Sequence, residues 1–240
     1  MATAVADAAS ASRAVLPSWA RQVLLVYKKD LAIEAATGEV TVTSGFFALL
    51  VVVLASLSFF GGPTSAASVA AGTIWLSLSF AAVLSLGKTW QRERDEGALD
   101  GLLVSPLSRS AIFAGKALSV WTFLLAVLSV VLPLSLILFS LDSAYALPLI
   151  AIAAFATPGI AASGTLFGAM TVRTGARDLM LAVVLFPLLS PTLLAAVAAT
   201  RALFGGTPFE ELGDYLKLMA VFDVVFVAGG LSMFGALVER

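Results

Sequence analysis

Six apolar runs, each near the length needed to cross a bilayer, constrain this chain more than anything else in it. They lie at Thr43 to Phe60, Ala66 to Leu86, Ala117 to Leu141, Ala146 to Thr171, Leu179 to Phe204 and Leu218 to Val238. A hydrocarbon core takes about 20 residues of α-helix to span. Between the first and second runs stands "GGPTS" and between the third and fourth "DSAY", both too short and polar for anything but turns, so these pairs form tight helical hairpins. With 60% hydrophobic and 12% charged residues, the chain lies outside the range of soluble domains. The expected fold is an all-α integral membrane protein.

The basic residues orient the bundle. Arg13, Arg21, Lys28 and Lys29 precede the first run, and Lys88, Arg92, Arg94, Arg109 and Lys116 fall around the second connection. Arg173 and Arg177 fall in the fourth connection, and Arg240 ends the chain. Only Arg201 and Lys217 of the 14 Lys and Arg lie on the other side, beside Glu210, Glu211 and Asp214. The positive-inside rule then puts both termini in the cytoplasm.

Residues 1–16 are Ala- and Ser-rich without a signal-peptide core, and read as a disordered cytoplasmic tail ahead of a membrane domain at 17–240. From Pro17 the sequence "PSWARQVLLVYKKDLAIEA" sets Trp19, Val23, Val26, Tyr27 and Leu31 at helical spacing, with Arg21, Gln22, Lys28 and Lys29 largely off that face. This predicts an amphipathic helix in the membrane surface, its lysines toward anionic lipid.

Absences narrow the chemistry. A net charge of -1 without aromatic-interleaved basic clusters excludes nucleic-acid binding. The chain has no Cys and no His, which removes thiolate chemistry, the commonest general base and the commonest metal and haem ligand. Candidate iron ligands reduce to Met170, Met180, Met219 and Met233 in or beside spans, with Tyr27, Tyr145 and Tyr215 outside them. No catalytic, cofactor or metal site is expected.

Charge concentrates in "GKTWQRERDEGALDGLLVSPLS", residues 87–108. Gly87-Lys88-Thr89 matches the end of a phosphate-binding loop, but Ala82 stands where the loop needs its first Gly and no strand precedes it. Lys88 instead ends a span. Any ATP hydrolysis therefore belongs to a separate protein chain. Glu93, Asp95 and Glu96 lead to Gly97, and Leu99, Leu102, Leu103 and Leu107 can form the apolar stripe of a short helix interrupted near Pro106. Such a stripe either docks on a partner or folds back on the membrane surface or the N-terminal helix.

The order of charged cluster, Glu-Gly, "ALDGLLVSPLS" and Lys116 resembles the loop of type-2 ABC exporter permeases. Together with "TPGIAASGTLFGAMTVRTGARDLMLAVVLFPLLSPTLL" at 157–194, it is most similar to the CcmB family, a membrane component of the haem exporter of bacterial cytochrome c maturation. The resemblance covers about residues 20–240; the Ala-rich tail departs from it. It implies a bacterial inner-membrane permease with a coupling helix formed from Glu93, Asp95, Glu96, Gly97, Leu99, Leu102, Leu103, Pro106 and Leu107. It also implies an ABC ATPase partner, a haem-handling membrane partner, a small accessory membrane protein, and a permease dimer or hetero-oligomer. ATP and haem would be bound by partners. The permease would either move substrate or drive release of a haem-loaded chaperone. Export of a lipid, polysaccharide or drug by a type-2 permease is the alternative, and a secondary transporter fits less well because intramembrane charge is scarce.

Three features stand out inside the spans. Gly164 and Gly168 form a Gly-x-x-x-Gly pair that admits a close helix, from the same bundle or from a partner. Pro133, Pro158, Pro187 and Pro191 are expected to break or kink their spans. Asp223 is the acid within a span, either snorkelling or capping near the outer end or acting as an intramembrane polar site.

Overall fold

The computed structural model describes residues 17–59, 63–95, 97–171 and 177–238. The N-terminal tail and Glu96 fall outside them. Eight α-helices occur among the described residues: α1 (Trp19–Thr37), α2 (Glu39–Ser58), α3 (Pro63–Asp95), α4 (Ala98–Val104), α5 (Arg109–Leu138), α6 (Ala146–Thr171), α7 (Arg177–Phe204) and α8 (Gly213–Val238). Short 3₁₀ turns at Ser143–Tyr145 and Phe209–Leu212 lead into α6 and α8. Six helices are long and apolar enough to cross a membrane, and they account for the six apolar runs. Helices satisfy every backbone group within the segment, which lipid demands.

Burial divides the spans into inner and outer members. The apolar window of α3 is 67% buried, whereas those of α2 and α8 are 22% and 17% buried, so α3 is central and the other two turn most of their surface outward. The largest cluster of buried side chains runs through α3, α5, α6 and α7 and includes Ile74, Trp75, Leu78, Leu86, Trp90, Leu124, Ile152, Ile160 and Leu189. Polar pairs tie neighbours together. The Trp75 indole donates to Thr200 Oγ1 at 2.8 Å, joining α3 to α7; Trp121 donates to Thr157 Oγ1 at 2.8 Å, joining α5 to α6; and Ser85 donates to Ser44 Oγ at 2.9 Å, joining α3 to α2. Bonds of this kind contribute about 0.6 kcal/mol each in membrane bundles, up to about 2 kcal/mol.

Three expectations change in detail. The second span, predicted to stop at Leu86, continues as helix to Asp95. At 1.5 Å per residue its 33 residues measure about 50 Å, well beyond a core of about 30 Å. Charge ends the part of α3 that lipid accepts but not the helix, because Trp90 and Glu93 on the following turns are buried.

The prolines do not break their spans: α5, α6 and α7 run through Pro133, Pro158, Pro187 and Pro191. Side chains compensate. Pro191 has no N–H to offer the Pro187 carbonyl, and Ser190 Oγ donates to that carbonyl at 2.7 Å instead.

The third change concerns α1. Its buried face is Gln22, Val23, Val26, Asp30 and Glu34, rather than the Trp19, Val23, Val26, Tyr27 and Leu31 face predicted, and Trp19 is half exposed. A polar edge on that face finds partners in the bundle. Gln22 Oε1 accepts from Ser108 N at 2.8 Å at the start of α5, Trp19 Nε1 donates to Ser110 Oγ at 3.0 Å, and Tyr27 pairs with Thr122 at 3.2 Å. Glu34 accepts from Val40 N at 3.2 Å and Thr41 N at 2.7 Å, satisfying the first turn of α2 across the single-residue joint at Gly38. Gly38 has φ +63°, a left-handed conformation that side chains resist.

Candidate functional site

At the end of the bundle where α3 meets α4, four charges from three helices converge. Lys116 of α5 is 1% exposed, Glu93 of α3 4%, and Asp30 of α1 6%. The Lys116 ammonium lies 2.9 Å from Asp30 and also binds Glu93 Oε1, while Lys29 reaches Glu93 at 2.7 Å and Asp30 at 3.3 Å. Two cations and two carboxylates balance. Burial alone would lower the Lys29 pKa, but Asp30 and Glu93 outweigh it, and the group is held above the ordinary lysine value. The Lys116 ammonium also stands 6.0 Å from the Trp90 ring centroid, the outer limit of a cation–π contact.

Helix geometry makes this convergence possible. Lys116 lies in the third turn of α5, whose first turn is capped by Ser108 Oγ accepting from Ala111 N at 3.3 Å. Glu93 is on the extension of α3 beyond its lipid-compatible part, and Asp30 on the inner face of α1. Glu93 Oε2 and Thr89 Oγ1 have no hydrogen-bond partner among the described residues, and a void of about 10 Å³ beside them is the size of one water molecule. Lys29 is thus committed to the bundle, not to lipid headgroups as the sequence suggested.

The charged run therefore divides. Glu93 faces inward, whereas Arg94 and Asp95 are exposed and pair with each other at 3.1 Å. On the outside of α3, Lys88 and Arg92 hold Glu39 of α2 at 2.9 and 3.0 Å, and Gly87, mid-helix, belongs to no phosphate-binding loop. Gly97, at φ +62°, turns the chain from α3 into α4. In α4 the side chains of Leu102 and Leu103, and Leu107 just after it, are half buried against the main core, so much of the predicted stripe folds back onto the bundle. Arg109 Nη1 donates to the Leu103 carbonyl at 2.8 Å, holding the end of α4 against α5. Val104 is 88% exposed and Pro106 is also exposed, so the free apolar surface is carried by residues adjacent to the predicted stripe. Of Leu99 only the backbone is described.

Gly164 and Gly168 of α6 both face α3. A methyl group at Gly164 would overlap Leu86 and one at Gly168 would overlap the Trp90 indole, so the pair brings α6 against α3. Asp223 of α8 accepts from Gly159 N at 2.6 Å, immediately after Pro158. Sequence reasoning missed the four-charge cluster and Val104. The signals available for the cluster were a lysine opening an apolar run and acids at helical spacing with Val23 and Val26. Among the described residues no group of three His, Cys, Asp or Glu is placed to hold a metal ion.

Known proteins are similar to this chain along nearly its whole length. The family model described as "CcmB protein" matches residues 21–237. "Heme exporter protein B" of Bradyrhizobium diazoefficiens is 30% identical over 216 residues, covering 88% of this chain and 94% of its own. The protein of the same description from Rhodobacter capsulatus is 30% identical over 156 residues, 64% of this chain and 72% of its own, and that from Paracoccus denitrificans 28% identical over 190 residues, 79% and 86%.

Proposed function

The chain belongs to the CcmB family and is a multi-pass permease component of haem export, and from that premise we propose how it is driven. A separate ABC ATPase hydrolyses ATP and docks on α4 at the Val104–Pro106 surface. Its motion enters the bundle through α3. The observation that carries this reading is that one uninterrupted helix, α3, runs from the far end of the bundle to Asp95, close to the Gly97 joint with α4, and is fixed near that joint by Glu93 and Lys116. A displacement of α4 is then delivered to a rigid element of the core.

In this reading both termini and α4 are cytoplasmic, the membrane is the bacterial inner membrane, and residues 17–240 form one permease domain. The working complex includes a haem-handling membrane partner, a small accessory membrane protein and either a second permease copy or a hetero-oligomer. Stable haem ligation falls to a partner, since this chain has no His or Cys. Affinity purification of the tagged chain, with mass spectrometry of what accompanies it, tests the assignment. Recovery of an ABC ATPase with cytochrome c maturation proteins is expected; an ATPase from a polysaccharide or drug exporter in their place overturns it.

A further inference from the structure

Two clefts open at the end of the bundle opposite α4. One, of about 560 Å³, runs between α3 and α7 and is lined by Gly72, Trp75, Leu76, Phe186, Leu193 and Leu194. The other, of about 580 Å³, lies by the α5–α6 turn and is lined by Ser140, Asp142, Tyr145 and Phe204. Ser68 and Arg201 line both, so the two meet at Arg201.

The chemistry of the first cleft is one-sided. The Ser79 and Ser190 hydroxyls are spent on carbonyls of their own helices at 2.7 Å each, and the Trp75 indole N–H on Thr200 at 2.8 Å. Apart from the Ser68 and Thr73 hydroxyls, its walls present carbon and aromatic faces. At its mouth stands Arg201, exposed and without an ion-pair partner among the described residues, whereas Lys217, the other basic residue of this end, pairs with Asp214 at 3.0 Å. Asp142, the acid of the second cleft, is occupied in accepting from Ala144 N at 2.8 Å. An unpaired guanidinium at the rim of an apolar cleft suits a ligand with a flat apolar body and a carboxylate at one edge.

We propose that this cleft binds the porphyrin of haem, with the ring along α3 and α7 and a propionate on Arg201. The inference rests on the haem-export reading and deepens it by giving the permease its own contact with the cargo. Because no His is present, the iron gains no strong axial ligand here and binding is reversible.

The test is titration of the full-length chain in phosphatidylcholine nanodiscs with haemin, read by quenching of tryptophan fluorescence, for wild type, Arg201→Gln and Arg201→Lys. Saturable quenching is expected, weakened about tenfold or more in Arg201→Gln and partly restored in Arg201→Lys, with the dimethyl ester of haemin binding wild type as weakly as haemin binds Arg201→Gln. Equal affinity of wild type and Arg201→Gln, or equal affinity for acid and ester, overturns the assignment. So does loss of haemin binding in phosphatidylglycerol nanodiscs, which would make the cleft a lipid site. An indifferent Arg201→Gln variant that still recovers the ATPase from cells removes this cleft while leaving the permease reading intact.

Discussion

The backbone N–H of Gly159 donates to Asp223 Oδ1 at 2.6 Å, fastening α6 to α8 one residue past the proline in α6. Pro158 offers no N–H and its ring crowds the preceding turn, so the helix ladder is weakest there. Gly159 is small enough to let Asp223 and Phe222 approach; an added Cβ would lie 2.6 Å from the Phe222 ring. The carboxylate thus serves as a backbone acceptor. Asp223→Asn keeps an acceptor and should retain both folding and haem-export function. Asp223→Leu strands a buried donor and should lose about 1 to 3 kcal/mol of stability, measured as earlier thermal unfolding in detergent. A fully folded Asp223→Asn variant without function would instead make the carboxylate a working group.

Lys116→Met leaves Asp30 and Glu93 with only the half-exposed Lys29 between them. Breaking a buried ion cluster by removing one partner costs about 3 to 5 kcal/mol, because a desolvated charge is left uncompensated. Removing the facing carboxylate as well, in Lys116→Met with Glu93→Leu, leaves the Lys29–Asp30 pair and should recover most of that loss. Tryptophan-monitored unfolding of the single and double variants checks the expectation. A double variant no more stable than Lys116→Met would show that the carboxylate was never the source of the cost.

Val104 and Leu102 separate docking from folding. Val104 is 88% exposed, so Val104→Asp should leave the unfolding temperature unchanged while reducing ATPase recovery. Leu102 packs partly against the core, and Leu102→Asp should lower both, since a carboxylate there is desolvated without a partner. Normal ATPase recovery and normal activity in Val104→Asp would remove α4 as the docking element.

Haem retention offers a further check. Met219 is fully buried in the core while Met170 is half exposed at the opposite end of the bundle, and a methionine alone is a poor anchor for haem iron beside a histidine pair. The protein purified alone from haem-replete cells should carry no stoichiometric Soret band after washing. A band that survives washing and disappears in Met170→Leu or Met219→Leu would reverse this.

The spans were legible because lipid imposes one rule on every residue within it, and runs such as Ala117 to Leu141 carry no charged residue. The turn at Asp142 was legible for the same reason, being the polar break between two apolar runs. What escaped was chemistry decided by helix rotation and by contacts distant in sequence. Glu93 looked like its neighbours Arg94 and Asp95, yet one position on a helix separates a buried partner of Lys116 from a solvated pair. Likewise α1 has an apolar face by spacing, but the face that packs is the one whose Gln22, Asp30 and Glu34 meet donors on α2 and on α5, at its start and at Lys116. Pairing of that kind depends on which surfaces meet, and a periodicity count does not contain it.

The elbow at Gly38 sets how the gene tolerates changes in length. One residue joins α1 to α2, Glu34 spans it to reach Val40 and Thr41, and Asp30, one helical turn earlier, must meet Lys116. Adding or deleting a single residue there turns α1 by about 100° relative to α2 and takes both contacts with it. Among the described residues the exposed α7–α8 connection around Gly205 and Gly206 makes no comparable cross-helix hydrogen bond, and insertions should accumulate there in a tolerance screen while the elbow stays closed to them.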